Sequence, residues 1–177
     1  MVLGVSTIAV SLMEPSAHRR IEPLPLVVAL ALPLTVGALG GAATASSVRT
    51  WYPTLRKPPF NPPAWLFGPV WTVLYLSMGV AMYLVWTGAH TRSGRQRAAS
   101  WWLAQLILNL IWSLVFFGRR TIGPAFGEIL VLWFAIAATI KAAAAERPAA
   151  AALLLPYLGW TTFAAILNGS LWYLNRQ

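Results

Sequence analysis

Five long apolar stretches, punctuated by short basic loops, dominate this chain. They run roughly from Leu24 to Ala45, Trp65 to Thr87, Ala98 to Gly118, Ile122 to Ala145 and Ala149 to Leu174. A bilayer core takes about 20 apolar residues per helix, and each stretch meets that length. A membrane β-strand alternates apolar and polar residues over about ten positions; these stretches do not alternate. Because lipid offers no partner for a bare backbone, helices are the remaining solution. The expectation is an all-α integral membrane protein: a five-transmembrane-helix bundle, one domain over 23–177, with a loop at 46–64.

Composition removes whole classes of function. Of 177 residues, 58% are apolar and 10% are charged, with 13 Lys and Arg against 4 acids. A soluble domain would be near a quarter charged, and a disordered chain would be less apolar. The net charge of +9 would suggest nucleic acid in a soluble protein, but here the bases sit between the spans, so no nucleic-acid role is expected. All four acids are glutamate, there is no Asp and no Cys, and both histidines (His18 and His90) lie outside the apolar stretches. No metal site, cofactor site or nucleophile–base–acid triad can be assembled inside the bundle from these residues. Phosphate loops and zinc-protease or serine-hydrolase motifs are missing as well. Glu128 is the one acid well within a span, and it is expected to snorkel to the interface beside Arg119 and Arg120.

Residues 1–22 read as a flexible tail, because their apolar part, Val2 to Met13, is too short to span. Orientation stays open. Arg19, Arg20, Arg92, Arg95, Arg97, Lys141 and Arg147 flank one side, and Arg49, Arg56, Lys57, Arg119, Arg120 and Arg176 the other. That near-balance decides no positive-inside vote. Asn61-Pro62-Pro63 reads as an N-cap with proline in the first turn of the second span. Gly123-Pro124 resembles the same device before the fourth. Pro33 and Pro156 lie inside spans and should bend them. Gly37 and Gly41 form a small-xxx-small pair that serves either packing within the chain or a homodimer, and Gly123 and Gly127 form another.

Aromatic residues are the distinctive chemistry: ten Trp, seven Phe and five Tyr. Headgroup-level belts account for Trp51, Trp86, Trp101, Trp102 and Trp172 near span ends. They account poorly for the rest. Trp71, Tyr75, Met78 and Met82 share one helical face, as do Trp101, Gln105, Asn109, Trp112 and Phe116, and Tyr157, Trp160, Thr161, Ala164 and Asn168. Such faces form either packed seams, with Gln105, Asn109 and Asn168 as interhelical glue, or the walls of a pocket for a large, flat, poorly charged ligand. The loop Trp51–Pro63 holds five prolines (Pro53, Pro58, Pro59, Pro62, Pro63) and several aromatics. It reads as a stiff apolar lid over the bundle mouth, or as a basic loop resting at the headgroups. Arg56 and Lys57 in it suit lipid phosphates or a ligand carboxylate.

Together these motifs resemble the TspO/MBR family (tryptophan-rich sensory protein, translocator protein, peripheral benzodiazepine receptor). The residues carrying the likeness are W-Y-x-x-L-x-K-P-x-x-N-P-P-x-W-x-F and W-T-x-L-Y over Trp51–Tyr75, A-Q-L-x-x-N-x-x-W-x-x-x-F-F-G over Ala104–Gly118, and P-Y-x-x-W with a later L-N over Pro156–Asn168. The resemblance implies a five-helix membrane receptor or carrier for porphyrins, often dimeric, and a multi-pass protein of a bacterial cell membrane. It implies ligand-binding residues Trp51, Tyr52, Trp71, Gln105, Asn109, Trp112, Trp160 and Ala164, and lid-shaping residues Lys57, Pro58, Asn61, Pro62 and Pro63. The sterol-recognition tyrosine that animal members place after the L-N is Gly169 here, which favours a tetrapyrrole over cholesterol. Two alternatives remain: a light- and oxygen-dependent porphyrin-degrading enzyme, for which the chain supplies no acid, base or metal, and a structural or partner-binding membrane protein.

Overall fold

The computed structural model describes residues 21–176. The tail expected at 1–22 therefore lies outside the described residues, except for its last two. Five helices follow: α1 Pro23–Thr50, α2 Ala64–Gly88, α3 Arg92–Ser113, α4 Ile122–Glu146 and α5 Pro148–Asn175. A 3-10 turn at Tyr52–Thr54 follows α1, and a π turn at Leu114–Gly118 finishes α3. With that turn counted into α3, all five spans are long and apolar enough to cross a membrane, and the protein is an all-helical, multi-pass membrane protein. Its outer surface agrees: Leu24 and Trp65 are each 72% exposed and Phe134 68%. That much exposed apolar surface belongs against hydrocarbon.

Short loops make neighbours antiparallel. One end of the bundle, the lid end, gathers the close of α1, the start of α2, the close of α3, the start of α4 and the close of α5. The core between α2, α3, α4 and α5 is filled by Met78, Ile129, Leu132, Ile136, Leu154 and Tyr157, all essentially inaccessible. α4 packs on α5 through the stacked pair Phe126 and Trp172, 5.9 Å between centroids. Gly123 and Gly169 give those two rings their room. The Trp133 indole N–H donates to Thr162 Oγ1 at 2.8 Å along the same seam.

α1 and α2 touch closely near Glu22, Ala29 and Gly37. The Glu22 backbone N–H donates to the Tyr83 hydroxyl at 3.1 Å. A Cβ on Gly79 would lie 2.8 Å from the Ala29 carbonyl oxygen, and one on Gly37 would strike the Tyr75 ring. Gly37 thus serves packing within the chain. Nearer the lid, nothing lies within 4 Å of where Gly41 or Gly68 would place a Cβ. Both of these glycines line the cavity described below.

At the far end, Glu146 closes α4 onto the start of α3. Its buried carboxylate accepts the backbone N–H groups of His90 (2.7 Å) and Thr91 (3.1 Å) and the Thr91 hydroxyl (3.0 Å). The Thr91 Oγ1 in turn accepts the Gly94 N–H at 2.9 Å, an N-cap that starts α3 at Arg92. Hydropathy alone placed that start at Ala98. It missed the polar first turns, which extend beyond the apolar stretch.

Several other expectations need correction. The 46–64 loop is shorter, because α1 runs on to Thr50; Thr44 and Thr50 hydroxyls bond the carbonyls of Gly40 and Ser46 one turn back. Asn61 does not cap α2. The N-cap is Pro63, without a side-chain bond. Trp102 is not at the headgroups: it is 3% exposed and donates its indole N–H to the Met78 carbonyl at 3.1 Å. Trp101, 43% exposed as a belt residue would be, does not share the buried face of Gln105 and Asn109. The buried stripe of α3 is Ala98, Trp102, Gln105, Leu106 and Asn109, and adjacent helical positions point about 100° apart. Finally, Glu128 does not snorkel. Both its carboxylate oxygens are buried, with no hydrogen-bond partner among the described residues; its short side chain sits too deep in α4 to reach the interface.

Candidate functional site

α1, α2, α3 and α5 enclose a cavity of about 470 Å³ in the half of the bundle nearest the lid. Ligand pockets commonly measure about 300–1,000 Å³. Helical periodicity brings Trp71 and Tyr75 to it from α2, Asn109 and Trp112 from α3, and Trp160, Ala164 and Asn168 from α5. Tyr52 roofs it. Small positions on α1, among them Gly37, Gly40 and Gly41, form the fourth wall and leave it thin.

The rings line the walls as a connected set. Trp71 stacks on Tyr75 (5.5 Å, 30°) and meets Tyr157 edge-on at 6.2 Å. Phe67 meets Trp160 edge-on at 5.9 Å, and Trp112 stacks on Phe116 at 5.3 Å. The π turn contributes here. Adding one residue to the last turn of α3 brings both Phe116 and Phe117 to the cavity beneath Tyr52, whose ring lies 5.7 Å from Phe117. It also leaves Arg120 with φ of 57° and its Nε donating to Ser47 Oγ at 3.3 Å. A left-handed backbone at a non-glycine residue is costly and recurs near functional sites.

The polar groups bond to one another. The Tyr75 hydroxyl donates to Asn109 Oδ1 at 2.7 Å, and Asn109 Nδ2 donates to the Tyr157 hydroxyl at 3.3 Å. The Trp112 indole N–H donates to Asn168 Oδ1 at 3.1 Å, while Asn168 Nδ2 donates to the Ile122 carbonyl at 2.9 Å. The side chains that wall the cavity are therefore neutral and largely satisfied, and no lining residue is charged. Such a site holds a ligand by contact area and ring stacking rather than by ion pairing. No cluster of His, Cys, Asp or Glu suited to a metal occurs among the described residues.

The lid is braced within itself and tied to α5. The Tyr52 hydroxyl donates to Asn61 Oδ1 at 2.6 Å, and Asn61 Nδ2 donates to the Pro62 carbonyl at 3.0 Å. The Arg56 backbone exchanges two 3.0 Å bonds with the Asn175 side chain at the close of α5. Lys57 Nζ donates to the carbonyls of Pro53 (3.0 Å) and Leu55 (3.1 Å) and sits 5.0 Å over the Tyr52 ring. Lys57 thus braces the lid from outside the cavity.

Burial pushes the Tyr52 phenol from 10.0 up to about 12. A raised value means the docked lid favours the neutral phenol. Its contribution is intact below pH 10 and is lost as pH climbs through about 12. Alkaline titration followed by tyrosinate absorbance should show one step near the upper value, absent in Tyr52→Phe. A Tyr52 step near 10 would mean an undocked lid.

Of the residues singled out from the sequence, Tyr52, Trp71, Asn109, Trp112, Trp160 and Ala164 line the cavity. Trp51 packs edge-on against Phe116 (5.7 Å) beside it, and Gln105 is buried elsewhere in the core with Nε2 3.9 Å from Met78 Sδ. Lys57, Pro58, Asn61, Pro62 and Pro63 shape the lid and stay off the walls. Phe67, Phe117 and the α1 glycines were not singled out as ligand residues; the aromatic pair Phe116-Phe117 before Gly118 was the available signal.

Comparison with known proteins agrees with this architecture. The model of the TspO/MBR family matches residues 29–174. The chain is 40% identical over 152 residues to the "Tryptophan-rich protein TspO" of Archaeoglobus fulgidus, covering 86% of this chain and 97% of that one. It is 38% identical over 155 residues to the "Translocator protein" of Ovis aries (86% and 91% covered). It is 36% identical over 143 residues to the "Tryptophan-rich sensory protein" of Cereibacter sphaeroides (79% and 88%).

Proposed function

The chain belongs to the TspO/MBR family, and from that premise we propose that it is a membrane receptor or carrier that binds porphyrins, or related large, flat, apolar molecules, in the cavity beneath Tyr52. The observation that carries this reading is the cavity wall itself: indole rings from α2, α3 and α5 around an uncharged space roofed by a phenol. A tetrapyrrole offers broad π faces to such walls, with its charge confined to carboxylates at one edge. Those carboxylates suit the lid end, where Arg120 is held at Ser47 and Thr44, one turn earlier on α1, lines the cavity. The names borne by the relatives, translocator and sensory protein, support transport or signalling as the use made of binding. The relatives from Chlorobaculum tepidum and Cereibacter sphaeroides support a bacterial cell membrane as its seat.

The test is titration with protoporphyrin, read as quenching of tryptophan fluorescence in detergent. Wild type should quench saturably, and Trp71→Ala and Trp160→Ala should each lose saturation. Unchanged saturable quenching in both variants would place the ligand outside this cavity.

A further inference from the structure

The walls of the cavity differ in exposure. Lining residues on α3, α5 and the lid are all buried or half-buried. Those that are exposed all belong to the other two helices: they include Leu34, Ala38 and Gly41 on α1, and Ala64, Gly68 and Thr72 on α2. These residues lie within the spans of α1 and α2, most of them in the half nearer the lid. The lid end is closed by contrast, with Tyr52 only 8% exposed and held by Asn61.

We propose that the ligand reaches this cavity sideways from the hydrocarbon, through the window between α1 and α2, while the lid stays latched. The inference rests on the binding reading above and narrows it: the ligand is a molecule already dissolved in the membrane. The window is built for that. Its rim is apolar or small, and the two glycines give it width, since neither would place a Cβ near any neighbour. Passage there asks for no break in the Tyr52–Asn61 bond or the Arg56–Asn175 pair. Passage through the lid would break the Arg56–Asn175 pair and carry an apolar plate through the charged headgroup layer.

The protein, reconstituted in phosphatidylcholine vesicles, is mixed with protoporphyrin and its fluorescence followed by stopped flow. Three variants are compared with wild type: Gly68→Phe and Gly41→Leu, which narrow the window from opposite helices, and Gly159→Phe, which adds an aromatic to an exposed position of α5 outside the cavity. A narrowed passage raises the same barrier in both directions. Association and dissociation should therefore each slow by about tenfold in the first two variants, and Gly159→Phe should match wild type. Wild-type rates in both window variants would overturn the route while leaving the binding reading intact. A faster dissociation with weaker binding would also overturn it, by assigning these glycines to the ligand's resting place. Absence of saturable quenching in wild type would instead remove the binding reading, and the route with it.

Discussion

Replacing Glu146 with alanine should lower the unfolding free energy well beyond what a surface substitution does, as the change strands three donors that now converge on one carboxylate. The donors are the His90 and Thr91 backbone N–H groups and the Thr91 hydroxyl. Hydrogen bonds to a charged acceptor contribute about 1.5–3 kcal/mol each, and three donors around one acceptor do not add in full. The loss also loosens the α3 cap, because Thr91 Oγ1 would no longer be held while it accepts from Gly94. Gly94→Ala should act similarly, since a Cβ there collides with the Glu146 carboxylate. Glu22→Ala is the control. That residue is exposed and makes no side-chain cap bond, so a change within about 0.5 kcal/mol is expected. Denaturant titration in mixed micelles, read by helicity, measures all three. A loss at Glu146 no larger than at Glu22 would show that the clamp contributes nothing.

The second large effect concerns binding. Ala164→Phe should weaken protoporphyrin about 100-fold, equal to about 2.7 kcal/mol, while changing stability by less than about 1 kcal/mol. Ala164 is half-buried and lines the cavity one turn beyond Trp160 on α5. A benzyl group fits there because the cavity receives it, so the helices need not move. It then occupies the strip against Trp160 that a porphyrin face requires. Quenching titrations and thermal scans on one preparation separate the two effects. Wild-type affinity in this variant would rule out the α5 wall as a ligand contact. A large loss of stability would show that the space around Ala164 is packed solid.

Hydropathy and periodicity made much of this legible. The spans are long, their apolar runs do not alternate, and a backbone in lipid has one way to satisfy itself. Trp71, Asn109, Trp160 and Ala164 could be placed on cavity-facing stripes because an α-helix repeats reliably within a span. Other features depend on what happens between helices. The cavity contact of Phe117 follows from the π turn, which shifts the register in the last turn of α3. Trp102 joins the core, and Trp101 leaves the face of Gln105 and Asn109, for a similar reason: one residue of rotation decides between surface and core. The proposed window depends on Gly79 meeting α1 closely while a Cβ at Gly68 would meet nothing within 4 Å, and small residues at both positions give no local sign of which does which. Glu146 finds its partners more than fifty residues upstream, beyond the reach of any local pattern.

The pairing of Arg56 with Asn175 has a consequence for how the molecule is made. The ribosome delivers the proline segment long before the strand of chain that fastens it, and Trp160, Ala164 and Asn168 arrive on that same late helix. Until α5 leaves the insertion machinery, the nascent protein has three sides of a chamber and a loose cover. The chamber is therefore completed in a single step, when the final span joins.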